Sequence, residues 1–340
     1  MKLSVLDQSP VAAGSGVAEA LKASIQLAKL ADKLGYTRYW AAEHHALNAL
    51  ASPAPEILLA RLAGETTRIR LGTGGIMLPH YSALKVAEVF TMLNALCPGR
   101  IDLGVGRAPG GGPLEAFALR RERAEGAVPD DFPEQMAELM SYFEQDFRGD
   151  HPFRRIKMPA DRPDASMVWL LGSSMWSAVA AAQWGLPYAF AHFFSGEQTR
   201  AAITHYRSRF VASKHHTVPY SSIAVSVICA PDQQEADYLA SSARLMRRRL
   251  HTGAGLLPLA PPQEAVRELG EATETASSAA NEWPALFAGT PHGVRDALLQ
   301  MGDALQLDEM HVVTITFDPA ARFRSYEMLA GAFELDTVRN

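Results

Sequence analysis

Cysteine is nearly absent from this chain. Its 340 residues include two, Cys97 and Cys229, set in the apolar contexts Asn-Ala-Leu-Cys-Pro and Ser-Val-Ile-Cys-Ala. No C-x-x-C or Cys/His spacing accompanies them, so neither a disulfide framework nor a zinc site is expected, and buried free thiols are. Long apolar runs are missing too. No stretch approaches the roughly 20 residues that cross a bilayer, and the opening Met-Lys-Leu-Ser-Val-Leu is strand-like and too short for a secretory core. The expected location is the cytoplasm, with no membrane partner. A surplus of positive charge is also lacking: 32 Lys and Arg stand against 37 Asp and Glu, for a net charge of -5. That leaves no basic face for nucleic acid. The densest basic run, at 244–249, holds four arginines with no interleaved aromatics, which reads as a solvated or cofactor-facing helix side, not a nucleic-acid patch.

What is present is enough apolar material for a sizeable core, 48% of residues against 20% charged. Short β-branched runs alternate with amphipathic stretches. Strands are predicted at 2–6, 36–41, 69–73, 101–105, 167–171, 188–191, 223–229 and 309–315. Helices are predicted at 17–34, 52–66, 83–96, 133–147, 174–184, 197–212, 235–250 and 292–304, with a last one at about 322–333. Eight βα units in alternation predict a parallel sheet, and eight strands close a barrel. The fold class is therefore an α/β (β/α)8 TIM barrel with insertions after strands four and seven; an open doubly wound sheet is the alternative. One domain over 1–340 is expected, with irregular insertions at about 107–132, 149–166 and 251–290. The last of these is the candidate lid. In helix 83–96, Val86, Val89, Phe90 and Leu93 predict a core face, with a dimer face as the alternative.

In such a barrel, function belongs at the C-terminal ends of the strands. Strand two runs into Glu43-His44-His45. Adjacent residues there point in opposite directions, which disfavours a shared metal and leaves no metal site expected. A backbone-satisfied structural pair is one reading. A catalytic base or proton donor is the better one, since histidine titrates near neutral pH. Strand five runs into Gly172-Ser173-Ser174 and then Met175 at a helix start. Free N–H groups, two hydroxyls and the positive helix end favour an anion there, with an ordinary serine cap as the bland alternative. Arg107, after strand four, offers a second anion donor. Gly104-Val105-Gly106 falls short of a dinucleotide fingerprint, because Pro109 stands where the third glycine belongs. Those glycines, with Gly72, Gly74 and Gly75 after Thr73's strand, are expected to clear space for a flat ring. A planar heterocycle with a phosphate tail fits the whole set. His192, after strand six, is read either as lining the substrate side or as a satisfied structural histidine.

Three longer segments resemble the bacterial luciferase-like flavin monooxygenases, and the resemblance extends over nearly the whole chain. They are Tyr39-Trp40-Ala41-Ala42-Glu43-His44-His45, Gly72-Thr73-Gly74-Gly75-Ile76-Met77-Leu78-Pro79, and Pro98-Gly99-Arg100-Ile101-Asp102-Leu103-Gly104-Val105-Gly106-Arg107. The resemblance implies a barrel that takes reduced FMN from a separate NAD(P)H:flavin reductase and uses O2 to oxygenate a small organic substrate. It implies catalytic roles for His44 and His45. It implies cofactor contacts from Gly72, Thr73, Gly74, Gly104, Gly106, Arg107, Gly172, Ser173, Ser174 and Met175, and a non-prolyl cis link between Thr73 and Gly74. Light-emitting members carry a cysteine where this chain has Gly106, so light emission is not expected. A deazaflavin-dependent dehydrogenase and a flavin-binding protein without turnover stay open as alternatives. Family members also often pair through helices near strands two and three, which leaves a homo-oligomer open.

Overall fold

The β-branched runs form strands because their side chains can alternate between two buried faces. A computed structural model describes residues 1–119, 130–159, 166–270 and 282–336. Its strands are β1 (Lys2–Asp7), β2 (Arg38–Ala41), β3 (Arg70–Thr73), β4 (Ile76–Met77), β5 (Ile101–Gly106), β6 (Met167–Gly172), β7 (Tyr188–Ala191), β8 (Ser221–Cys229), β9 (Leu286–Gly289) and β10 (Glu309–Val313). All pairings are parallel. The path β10-β1-β2-β3-β5-β6-β7-β8 closes on itself because β8 also pairs with β10, Val312 opposite Val225. The result is a closed eight-stranded barrel, and all eight predicted strands lie in its wall.

The helices α1 (Val17–Leu34), α2 (Pro55–Ala63), α3 (Ala83–Leu96), α4 (Pro113–Leu119), α5 (Phe132–Glu144), α6 (Met175–Trp184), α7 (Thr199–Arg209), α8 (Gln233–His251), α9 (Pro262–Leu269), α10 (Pro291–Leu305) and α11 (Pro319–Ala332) accompany the strands. Local chemistry sets many of their ends. Asp232 caps α8 by accepting from the Glu235 N–H at 2.8 Å, and Gly35 ends α1 with φ 86°. The face of α3 that carries Val86, Phe90 and Leu93 is buried against the barrel, and Val89 packs beside it, as a core face requires.

Period-two alternation makes two cores. Outward residues such as Tyr39, Leu71, Leu103 and Val225 pack under the helices, while inward residues such as Leu6, Trp40, Trp169 and Ala224 fill the barrel. On β2, Arg38 also points inward, below Trp40. Its guanidinium donates to Asp102 at 2.6 Å and to Glu309 at 3.1 Å, and Arg70 donates to the other Asp102 oxygen at 2.6 Å. This ion cluster occupies the N-terminal half of the bore, so chemistry that needs an open pocket is left to the other end.

Two short strands escaped the sequence reading. β4 follows Gly75 directly and pairs with β5, Ile76 opposite Val105. β9 pairs with β8, Cys229 opposite Gly289. The second bears on the proposed lid at 251–290. Leu259 is fully buried, its N–H donates to the Val11 carbonyl at 2.9 Å, and α9 and β9 pack on α8 and β8. Leu259, α9 and β9 are therefore anchored parts of that segment, and 271–281 lies outside the described residues. Similarly, α4 occupies part of the insertion at 107–132, while 120–129 lies outside the described residues. No described helix is long and apolar enough to cross a membrane.

Candidate active site

At the end of β2 the chain turns polar, and alternation separates the two histidines. Glu43 is fully buried, with one carboxylate oxygen 2.6 Å from His45 Nε2 and accepting from the Tyr81 hydroxyl at 2.8 Å. Its other oxygen accepts from the Met77 N–H at 3.0 Å. The His45 ring meets His80 edge to face, with centroids 5.6 Å apart, and the His45 N–H donates to the Gly110 carbonyl at 3.0 Å. His45 is thus clamped by one carboxylate and two loops.

His44 turns the other way. Its backbone N–H donates to the Ser52 carbonyl at 2.9 Å, but its ring Nδ1 is buried with no hydrogen-bond partner among the described residues. Burial, reinforced by the neighbouring His45, depresses its pKa to about 4, so the ring is neutral at neutral pH. The ring lines a cavity of about 150 Å3 at the mouth of the barrel, with Gln8, Leu50, Phe193, Phe194 and Ile315, and with Met246 and Arg247 from α8. A neutral imidazole in the wall of a largely apolar cavity is suited to meet a polar atom of a bound molecule.

The predicted anion site lies at the start of α6. Ser174 precedes the helix in extended conformation without spending its hydroxyl on a cap, so the first-turn N–H groups and that hydroxyl are presented together. Gly172 is required here, because a Cβ would overlap the Ser177 hydroxyl. β5 and β6 are direct neighbours, Val105 opposite Leu170, and Arg107 lies with its guanidinium 4.4 Å from the Trp176 ring in the first turn of α6. Arg107 also pairs with Asp130 at 3.0 Å. Met175 packs its side chain on the outer core, which leaves its backbone for a ligand.

The glycines behave differently from the expectation of cleared space. A Cβ on Gly72 would lie 2.6 Å from the Trp40 ring, on Gly74 it would overlap Leu6, and on Gly104 it would overlap the Thr73 carbonyl oxygen. These three are demanded by the barrel's own packing. Gly106 is the exception, with Met77 Sδ 3.4 Å from its would-be Cβ. The expected cis link is also displaced: it joins Gly74 to Gly75, not Thr73 to Gly74. β3 ends at Thr73 as predicted, with Thr73 pairing with Ala41 and the Gly74 N–H donating to the Ala41 carbonyl at 2.8 Å, so the cis link lies one residue beyond the expected position.

His192 takes the structural role. It is fully buried, with Nδ1 2.7 Å from the Thr199 hydroxyl and Nε2 3.0 Å from the Pro284 carbonyl. Both cysteines are buried free thiols, and burial pushes Cys229 up to about 12. Among the described residues no three His, Cys, Asp or Glu side chains cluster as a metal site. Sequence reading missed Tyr81 and Gln8, and reached Arg247 only as one of the basic run at 244–249. Gln8 follows β1 at the same rim, so the strand-end rule alone could have found it.

A closed barrel with a cavity at the C-terminal rim and an anion-ready helix start beside it defines an enzyme of the TIM-barrel class. The sequence profile of luciferase-like monooxygenases matches residues 1–305, and the chain belongs to that family. It is 40% identical to the uncharacterized Bacillus subtilis protein YwcH over 335 residues, covering 98% of this chain and 99% of that one. It is 34% identical to the B. subtilis N-acetyl-S-alkylcysteine monooxygenase, covering 98% of each. Among solved structures, apo-MsnO8 superposes with a TM-score of 0.91 at 42% identity, covering 99% of each chain. The fold alone is shared with two more distant structures. One is the oxygenating constituent of 3,6-diketocamphane monooxygenase in complex with FMN, with a TM-score of 0.73 at 17% identity over 100% of each chain. The other is an F420-dependent secondary alcohol dehydrogenase, with a TM-score of 0.68 at 15% identity over 97% of this chain and 98% of that one.

Proposed function

We propose that this protein is a monooxygenase that takes reduced FMN, supplied by a separate NAD(P)H:flavin reductase, and O2, and oxygenates a small organic substrate. The observation that carries the reading is the His44 ring in the wall of the barrel-mouth cavity, neutral, and with its buried Nδ1 lacking a hydrogen-bond partner among the described residues. Family membership and a relative whose name states a small organic substrate support it. Reduced FMN, when bound, supplies the two electrons that let one atom of O2 enter the substrate while the other leaves as water.

The residues present fit that cofactor. The first-turn N–H groups of α6, Ser173, Ser174 and Arg107 would hold the phosphate. Gly106, the backbone at Thr73, Gly74 and Gly75, and His44 would meet the ring, while Gly72, Gly104 and Gly172 permit the close packing around it. His44, neutral at neutral pH, can donate a hydrogen bond from one ring nitrogen and accept one at the other without placing a charge in the cavity, and would take a proton only by becoming cationic. His45 is held in place by Glu43. The apolar walls from Leu50, Phe193 and Ile315 exclude water from the reacting atoms.

Anaerobic titration with reduced FMN, oxidised FMN and deazaflavin tests this. Tightest binding of reduced FMN is the expected result. A preference for deazaflavin would move the reaction to hydride transfer, a reading that the F420-dependent neighbour favours. No binding of any of the three would refute a flavin site.

A further inference from the structure

The four arginines of the 244–249 run lie in α8, and their partners differ. Arg244 is paired with Asp237 at 2.8 Å, and Arg248 and Arg249 both reach Glu268 on α9, at 3.6 and 2.5 Å. Among the described residues, Arg247 has no carboxylate within 4.0 Å and no hydrogen bond from its guanidinium. It is half-buried and lines the cavity that holds His44. Its field reaches Glu197, but that carboxylate is exposed and occupied by the Ser195 hydroxyl at 2.9 Å.

The cavity-facing side of α8 carries Ala243, Arg244, Met246, Arg247, Leu250 and His251, and of its two arginines Arg244 is already paired with Asp237 while Arg247 is not paired with a described acid. The opposite wall is apolar, from Leu50, Phe193 and Ile315. A guanidinium against such a wall loses hydration and regains it only by meeting an anion, most favourably through a two-pronged contact with a carboxylate. The cofactor's phosphate is not that anion. Its expected site at the start of α6 follows β6, whereas α8 follows β8, with β7 between the two strands.

We infer that Arg247 anchors the carboxylate of an amphipathic substrate whose apolar body fills the cavity beside His44. This rests on the reading of that cavity as the substrate side of a flavin site, and it adds the substrate class. A cavity of about 150 Å3 matches an apolar body the size of benzene, about six carbons.

Calorimetric titration of the full chain with hexanoate and with the near-isosteric hexanamide tests the assignment, alongside a reduced-FMN titration of each protein. Hexanoate is expected to bind at least about tenfold more tightly than hexanamide. Arg247→Met should erase that preference, Arg247→Lys should keep part of it, and both variants should bind reduced FMN as the parent does, which also reports that they fold. Equal affinities in the parent, a preference that survives in Arg247→Met, or no binding of either probe would overturn it. Should hexanoate be preferred while no flavin binds, the anion site stands and the flavin reading fails. Should FMN bind without any hexanoate preference, the reverse holds.

Discussion

His45 Nε2 lies 2.6 Å from the carboxylate of Glu43, two residues earlier on the same strand end. That contact, shared with Tyr81 at 2.8 Å, fixes one histidine of the pair and leaves the other facing the cavity. Releasing His45 should therefore disturb positioning more than binding. Tyr81→Phe and Glu43→Gln are expected to slow product formation by roughly ten- to a hundredfold, with reduced-FMN affinity changed less than about threefold. His44→Ala should cost more, on the order of 10²–10⁴ in product formed per turnover. Steady-state kinetics with a reductase present measures all three, and full activity in His44→Ala would remove it from the chemistry.

Arg107 sits over Trp176 beside the free first turn of α6. Charge-assisted hydrogen bonds to an anion are worth about 1.5–3 kcal/mol, so Arg107→Ala should weaken reduced FMN by roughly ten- to a hundredfold. Riboflavin, which lacks the phosphate, should bind both proteins equally. A parallel loss for both ligands would place Arg107 elsewhere in the pocket.

Gly104 and Gly106 are two residues apart on β5 yet face different constraints. A Cβ on Gly104 would overlap the Thr73 carbonyl oxygen, which is backbone and cannot step aside, whereas on Gly106 it meets the flexible Met77 side chain at 3.4 Å. Gly104→Ala is expected to destabilise by about 3 kcal/mol or more, and Gly106→Ala by less than about 1 kcal/mol. Urea unfolding midpoints of the two variants decide it.

His311, stacked on Trp40 at 3.9 Å within the barrel, has both ring nitrogens buried without a hydrogen-bond partner among the described residues, and its Nε2 lies 3.9 Å from the Glu309 carboxylate. Burial depresses its pKa to about 4, with the Glu309 carboxylate opposing the shift. Because the folded value lies below the unfolded one near 6.5, the unfolded chain binds the proton first as pH falls. The stability tied to a neutral His311 is thus complete above about pH 6.5 and is lost progressively toward pH 4, on the order of 3 kcal/mol. His44, also near 4, adds in the same direction. His311→Phe should flatten the fall in unfolding free energy between pH 7 and 4.5; an unchanged slope would show that the histidine is not its source.

Barrel strands and helices were legible because their signals are local. Alternation along Arg38-Tyr39-Trp40-Ala41 already says which side chains enter the bore, and Asp232 or Gly35 marks a helix end whatever surrounds it. The rim position of His44, and of Gly172, Ser173 and Ser174, follows from the same counting. β4 and β9 were not legible: β4 has only two residues, and both lie off the barrel wall, pairing only along β5 and β8.

By itself the sequence determined the eight alternating units, the polar strand ends and the placement of two histidines with opposite side-chain directions, since these depend on residue type and backbone period alone. Tertiary structure decided what depends on atoms far apart in the chain. It closed β8 on β10, moved the cis link to Gly74–Gly75, and gave His45 its carboxylate and Tyr81 its place on that carboxylate. It also matched three arginines of α8 with acids while leaving Arg247 facing the cavity. Whether a charge finds a partner is set by packing across the barrel mouth, and no local pattern of residues encodes it.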